Sequence, residues 1–139
     1  WHKNVTRSLI KDPKLYFWDW SLIEDNGAKF ENFIASHLLK FVHYKTDKGD
    51  GTYKLHFIRD KEKREVDFLV VKNDKPWFLL EAKLSDNQGL SKNLALFQEQ
   101  LNCPHAFQVV NDMDFVNKDC FQINKPVIVP AMTFLSQLV

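Results

Sequence analysis

Two neighbouring apolar runs, "REVDFLVV" (64–71) and "PWFLLEAKL" (76–84), constrain the fold of this chain more than any other feature. Both are rich in valine, leucine and aromatic residues, and the polar link "KNDK" between them predicts a pair of antiparallel strands. Yet the runs carry Asp67, Glu81 and Lys83. Charged side chains are rarely buried without a partner, so each of the three needs one. Alternation along a strand puts Trp77, Leu79, Glu81 and Lys83 on one face and Phe78, Leu80, Ala82 and Leu84 on the other. Asp67, Leu69 and Val71 share a face in the same way. A loop over residues 72–76 sets Val71 opposite Trp77 and Asp67 opposite Glu81, the two carboxylates about 4.5–5.5 Å apart at Cβ. A slip of one residue would send them to opposite faces.

Like charges directly across a sheet are destabilising, more so where water is excluded. A divalent cation bridging Asp67 and Glu81 compensates, because Mg²⁺ takes hard oxygen ligands and is commonly held by one or two carboxylates plus waters and substrate phosphate. Lys83, beside Glu81, then meets the phosphate or the attacking water.

The rest of the chain places these strands in an α/β frame. "KLYFWDWSL" (14–22) reads as an entering strand. "NGAKFENFIASHLLKFVHY" (26–44) spaces Phe30, Phe33, Ile34, Leu38, Phe41 and Val42 along one helix face, with Asn26 as N-cap. "YKLHFIRD" (53–60) adds a third strand to the meander, and "LSKNLALFQEQLN" (90–102) is a second helix. "AFQVV" (106–110) is a further strand, and "KPVIVPAMTFLSQLV" (125–139) ends in one more strand and a helical turn. The order β-α-β-β-β-α-β plus a C-terminal strand implies a single α/β domain, its sheet covered by helices on at least one face.

Charge and composition exclude several classes. Lys and Arg number 19 against 18 Asp and Glu, a net charge of +1 that gives no global signature of nucleic-acid binding. A mild basic excess between Lys40 and Lys75 reads as a solvated hairpin surface. The two cysteines, Cys103 and Cys120, form no CxxC, so neither a disulfide framework nor a zinc knuckle is expected, and a cytoplasmic location is. No apolar run is long enough to span a membrane. Cys103 reads as a buried or capping thiol, the histidines as structural, and Asp112, Asp114 and Asp119 as surface turns. The chain begins with Trp1 and its methionines are Met113 and Met132, which suggests a piece of a longer protein.

Val66-Asp67 followed by Glu81-Ala82-Lys83 resembles the PD-(D/E)xK nuclease superfamily over about residues 26–110, with Val66 in place of the common proline. That resemblance implies a restriction-endonuclease-like core of helix, three-strand meander, helix and strand. It matches Glu31 to an acidic residue of the first helix, and Gln98 or Gln100 to a polar position of the second. "KLYFWDWSLI", "GAKFENFIASHLL", "REVDFLV", "LLEAKLS" and "VIVPAMTFL" together look like the C-terminal domain of a family of prokaryotic AAA-type ATPases. This implies residues 1–24 as a linker from an ATPase portion, 26–110 as the core and 111–139 as a C-terminal strand and tail. No GxxxxGK[ST] occurs, so no P-loop is expected in these residues.

The resemblance implies a Mg²⁺- or Mn²⁺-dependent phosphodiesterase acting on nucleic acid, DNA more than RNA. Asp67, Glu81 and the Ala82 carbonyl would hold the ion, Glu31 would orient water or support a second ion, and Lys83 would place the nucleophile and offset transition-state charge. The alternative is an inactive nuclease-fold module that docks DNA or protein. A third reading, self-association, rests on Trp1, Trp18, Trp20 and Trp77 forming one exposed patch.

Overall fold

The computed structural model describes residues 9–11 and 22–138; the strand expected over 14–22 lies outside them apart from Leu22, which is exposed. Helix α1 (Asn26–Asp47) forms where the apolar spacing puts it. Its N-cap is Asp25 and not Asn26: the Asp25 backbone is extended, and Oδ1 accepts from the Ala28 N–H at 2.7 Å. A carboxylate there satisfies an orphan donor and also meets the positive end of the helix dipole, an advantage neutral Asn26 lacks. Phe30, Ile34, Leu38, Phe41 and Val42 form its buried stripe. At about 1.5–3 kcal/mol for each fully buried apolar side chain, this stripe outweighs the weak helix propensity of its aromatic and β-branched members.

Strands β2 (Tyr53–Arg59), β3 (Glu65–Lys72) and β4 (Lys75–Lys83) form the expected antiparallel meander. Strand β1 (Ile10–Lys11) adds a short antiparallel edge beside β2. Helix α2 (Lys92–Leu101) crosses from β4 to the parallel strand β5 (His105–Val110). Parallel to β5 runs β6 (Val127–Pro130), followed directly by α3 (Ala131–Leu135). The sheet order is β1-β2-β3-β4-β5-β6, five main strands and the two-residue edge.

Both faces of the sheet are covered. Phe68, Val70, Phe78, Leu80 and Phe107 pack with Ile34 and Leu38 of α1 and Phe134 of α3. On the other face Val66, Leu69, Leu79 and Ala106 pack with Leu94, Phe97 and Leu101 of α2.

The connection between β3 and β4 differs from the expected loop over 72–76. Lys72 pairs with Lys75 and Val71 with Pro76, leaving a two-residue turn of Asn73 and Asp74 with φ of 51° and 61°. Two successive left-handed residues are what a tight type I′ hairpin requires. One step on, Val70 pairs with Phe78, so Trp77 is the extra residue of a β-bulge. The tighter turn and the bulge offset each other, and the pairs Leu69–Leu79 and Phe68–Leu80 follow the expected register. Trp77 itself leaves the face of Leu79 and joins the α1 side, stacking on Phe41 and Phe121 with centroids 5.9 and 5.3 Å away. It therefore forms no exposed tryptophan patch, and Trp1, Trp18 and Trp20 lie outside the described residues.

Candidate functional site

A second bulge places Asp67. Ile58 pairs with Val66 but His56 pairs with Leu69, so Asp67 and Phe68 share the place opposite Phe57. Such an extra residue bends the strand and re-aims a side chain. The Asp67 Oδ2 accepts a hydrogen bond from the backbone N–H of Ala82 at 2.9 Å, which fixes the acid of β3 against the Glu81-Ala82-Lys83 segment of β4.

A cleft of about 760 Å³ opens at the carboxyl end of β4, lined by Glu31 of α1, Asp67, Glu81, Ala82, Lys83, and the segment leading into α2. In open α/β sheets this is where ligands bind, beyond the carboxyl ends of parallel strands. All four side chains expected to form a site, Glu31, Asp67, Glu81 and Lys83, therefore line one cleft.

Their electrostatics are uneven. Lys83 Nζ lies 3.2 Å from Glu81 Oε1, with the Lys83 side chain 44% and the Glu81 side chain 12% exposed. Glu81 Oε2 is buried and has no hydrogen-bond partner. A carboxylate so placed has lost water on one oxygen without gaining a protein donor, a costly arrangement that a cation would relieve. Among the described residues, no three His, Cys, Asp or Glu side chains come together as ligands of one metal ion. Asp67 and Glu81, both lining the cleft, carry hard oxygen atoms of the kind that Mg²⁺ takes as ligands.

Other residues weighed in the sequence fall elsewhere. Gln98 Nε2 donates to the carbonyls of Cys103 and Asn124 at 3.1 and 3.0 Å, so it ties α2 to neighbouring chain and does not line the cleft. Gln100 is exposed and also outside it. His37 packs edge-on against Phe33, and burial followed by nearby Lys40 lowers its pKa below the usual value. Cys103 is buried, which pushes its thiol up to about 12 and makes it inert as a nucleophile near neutral pH. Asp119 caps a short turn of helix over Cys120–Gln122, and in the basic hairpin Arg59 pairs with Glu65 and Arg64 with Asp60 and Glu62.

The residue missed in the sequence is Gln108. It pairs in register with Glu81 across the parallel β4–β5 ladder, is 1% exposed, and lines the same cleft. Its signal was present: a lone amide inside the apolar run "AFQVV" needs a partner for the same reason that Asp67 and Glu81 do.

No helix among the described residues is long and apolar enough to cross a membrane. No curated protein and no solved structure matches the chain significantly. Residues 26–130 match a protein family described as a domain of unknown function, DUF4143, a span that holds α1, the meander, α2, β5, β6 and every cleft residue named above. The chain therefore belongs to the DUF4143 family, whose domain is commonly found alongside AAA ATPase domains.

Proposed function

We propose that this domain is a restriction-endonuclease-like phosphodiesterase that hydrolyses nucleic acid with the help of Mg²⁺ or Mn²⁺, and that it serves an AAA-type ATPase portion of its own chain. The observation that carries the reading is the meeting of Asp67, Glu81 and Lys83 at the end of β4, with one Glu81 oxygen buried and unpartnered. Asp67, Glu81 and the Ala82 carbonyl would hold the ion. When bound, a divalent cation supplies charge neutralisation at the phosphoryl oxygens and activation of water.

The side chains of the chain do the remaining work. Lys83, half exposed at the cleft, is placed to leave Glu81 for an incoming phosphate and to offset the negative charge that grows there in the transition state. Glu31, brought to the same cleft by the N-terminal half of α1, orients water.

One observation favours a second reading, an inactive module that docks DNA or a partner protein. Lys83 is already paired with Glu81 at 3.2 Å, as expected of an ion pair retained for structure. The 760 Å³ cleft beside that pair argues the other way, since a purely structural pair needs no open space.

The test is calorimetric titration of Mn²⁺, followed by incubation with labelled DNA and RNA in Mg²⁺ or Mn²⁺. Saturable Mn²⁺ binding with metal-dependent cleavage supports the hydrolytic reading. Absence of both, with retained binding of DNA, transfers the cleft to the docking module.

A further inference from the structure

Between Ser85 and Leu90 the chain is almost wholly exposed, so apolar burial does little to hold this wall of the cleft in place. Its near end is fixed by the Asp112 N–H donating to the Leu84 carbonyl at 2.9 Å. Its far end is fixed by a side chain. Gln108 Oε1 accepts from the Ser91 N–H at 2.8 Å, and Gln108 Nε2 donates to the Gly89 carbonyl at 2.9 Å. Gly89 has φ of +70°, a backbone setting that favours glycine, and Ser91 is the N-cap of α2 but makes no side-chain capping bond. One buried amide therefore spends both of its polar atoms on the main chain that leads into α2.

The placement of that amide links the wall to the acid. Gln108 is the register partner of Glu81, so the residue that anchors the start of α2 stands on the strand beside the buried carboxylate. Ser91, Lys92 and Asn93, the start of the helix, line the same cleft as Glu81 and Lys83.

We infer that Gln108 is a positioning residue of this cleft: its two bonds to Gly89 and Ser91 fix the start of α2 as the wall against which the nucleic-acid backbone seats. The inference rests on the hydrolytic reading of the cleft. Both polar atoms of Gln108 are engaged by main chain, so it acts through the main chain it holds. Small displacements of a seat far from the reacting atoms are enough to lower rates substantially.

Two variants test it in the full chain. Gln108→Met keeps the length of the side chain and removes both polar atoms. Ser91→Pro removes the N–H that donates to Gln108 and puts the ring Cδ in its place, while leaving Gln108 itself intact; Ser91 already has φ of −62°, which proline adopts. Steady-state cleavage of a short fluorescein-labelled DNA duplex in Mg²⁺ is measured together with Mn²⁺ affinity by calorimetry and the melting temperature. The expected result is a KM raised on the order of tenfold in each variant, with Mn²⁺ affinity unchanged. Because Gln108→Met already removes the bond that Ser91→Pro breaks, the double variant is expected to be no worse than the more affected single one. A KM unchanged in Ser91→Pro overturns the inference even if Gln108→Met fails to fold. Wild-type protein that neither binds Mn²⁺ nor cleaves overturns the hydrolytic reading and this inference with it; wild-type cleavage with unaltered variants overturns the inference alone.

Discussion

The backbone N–H of Ala82 donates to Asp67 Oδ2 at 2.9 Å, so the acid of β3 is tied to the residue that separates Glu81 from Lys83 on β4. Because the donor is main chain, the sheet register of β3 and β4 helps to set the position of the Asp67 carboxylate. Asp67→Asn keeps an oxygen to accept that bond and removes the charge. It is expected to leave stability within about 1 kcal/mol while abolishing Mn²⁺ binding and cleavage. Asp67→Ala orphans the Ala82 N–H and is expected to cost about 1–3 kcal/mol in urea unfolding as well.

Glu81 places a charge where only one of its oxygens is paired. Its ion pair with Lys83 is half exposed on the lysine side, and such pairs contribute only about 0–1 kcal/mol. Glu81→Gln removes the buried charge, so in EDTA the variant is expected to melt at a higher temperature than wild type. Added Mg²⁺ should raise the melting temperature of wild type and leave that of the variant unchanged. A variant that melts lower in EDTA would show that Glu81 is stabilising as it stands.

Burial holds the Cys103 thiol well above its ordinary value of 9.0, at about 12. Between these two values the folded protein binds the proton that the unfolded chain releases, so the contribution to stability is full below pH 9 and is lost as pH rises toward 12. Denaturant midpoints measured across that window should fall, and fall less steeply in Cys103→Ala. Neither Cys103 nor Cys120 should react with a thiol reagent at pH near 8 until the protein is unfolded, since burial raises the thiol pKa of both.

Asp74 occupies a left-handed position, φ 61°, in the two-residue turn between β3 and β4, where glycine is preferred. Its ion pair with Lys54 at 3.3 Å is largely exposed and adds little. Asp74→Gly is expected to raise stability by about 0.5–1 kcal/mol, read as a higher urea midpoint with an unchanged slope.

The sequence carried the periodicity of α1 and α2 and the order of the strands, because amphipathic spacing and apolar runs bounded by polar links report burial directly. The gathering of Asp67, Glu81 and Lys83 was legible for the same reason, as charges inside apolar runs. The turn was not. A tight turn followed by a bulge at Trp77 gives the same downstream register as the expected longer loop, so the sequence offered the pairing without its cause. The bulge at Asp67 and Phe68 depends on β2, whose register no local pattern reveals. Asp25 rather than Asn26 caps α1 because both residue types suit that position and only their geometry separates them. Gln108 stands out as a lone amide in the apolar run "AFQVV", but its partners, Gly89 and Ser91, offer main-chain atoms and leave no trace in side-chain pattern.

The most direct measurement is single-turnover cleavage of a labelled DNA duplex in Mg²⁺ by wild-type protein and by Lys83→Ala, with an EDTA control. The expected result is cleavage that EDTA abolishes and that Lys83→Ala slows on the order of a hundredfold or more, with Mn²⁺ affinity retained because Asp67 and Glu81 are intact. Wild-type protein that cleaves no faster than its EDTA control, or a Lys83→Ala protein that cleaves as fast as wild type, would contradict it.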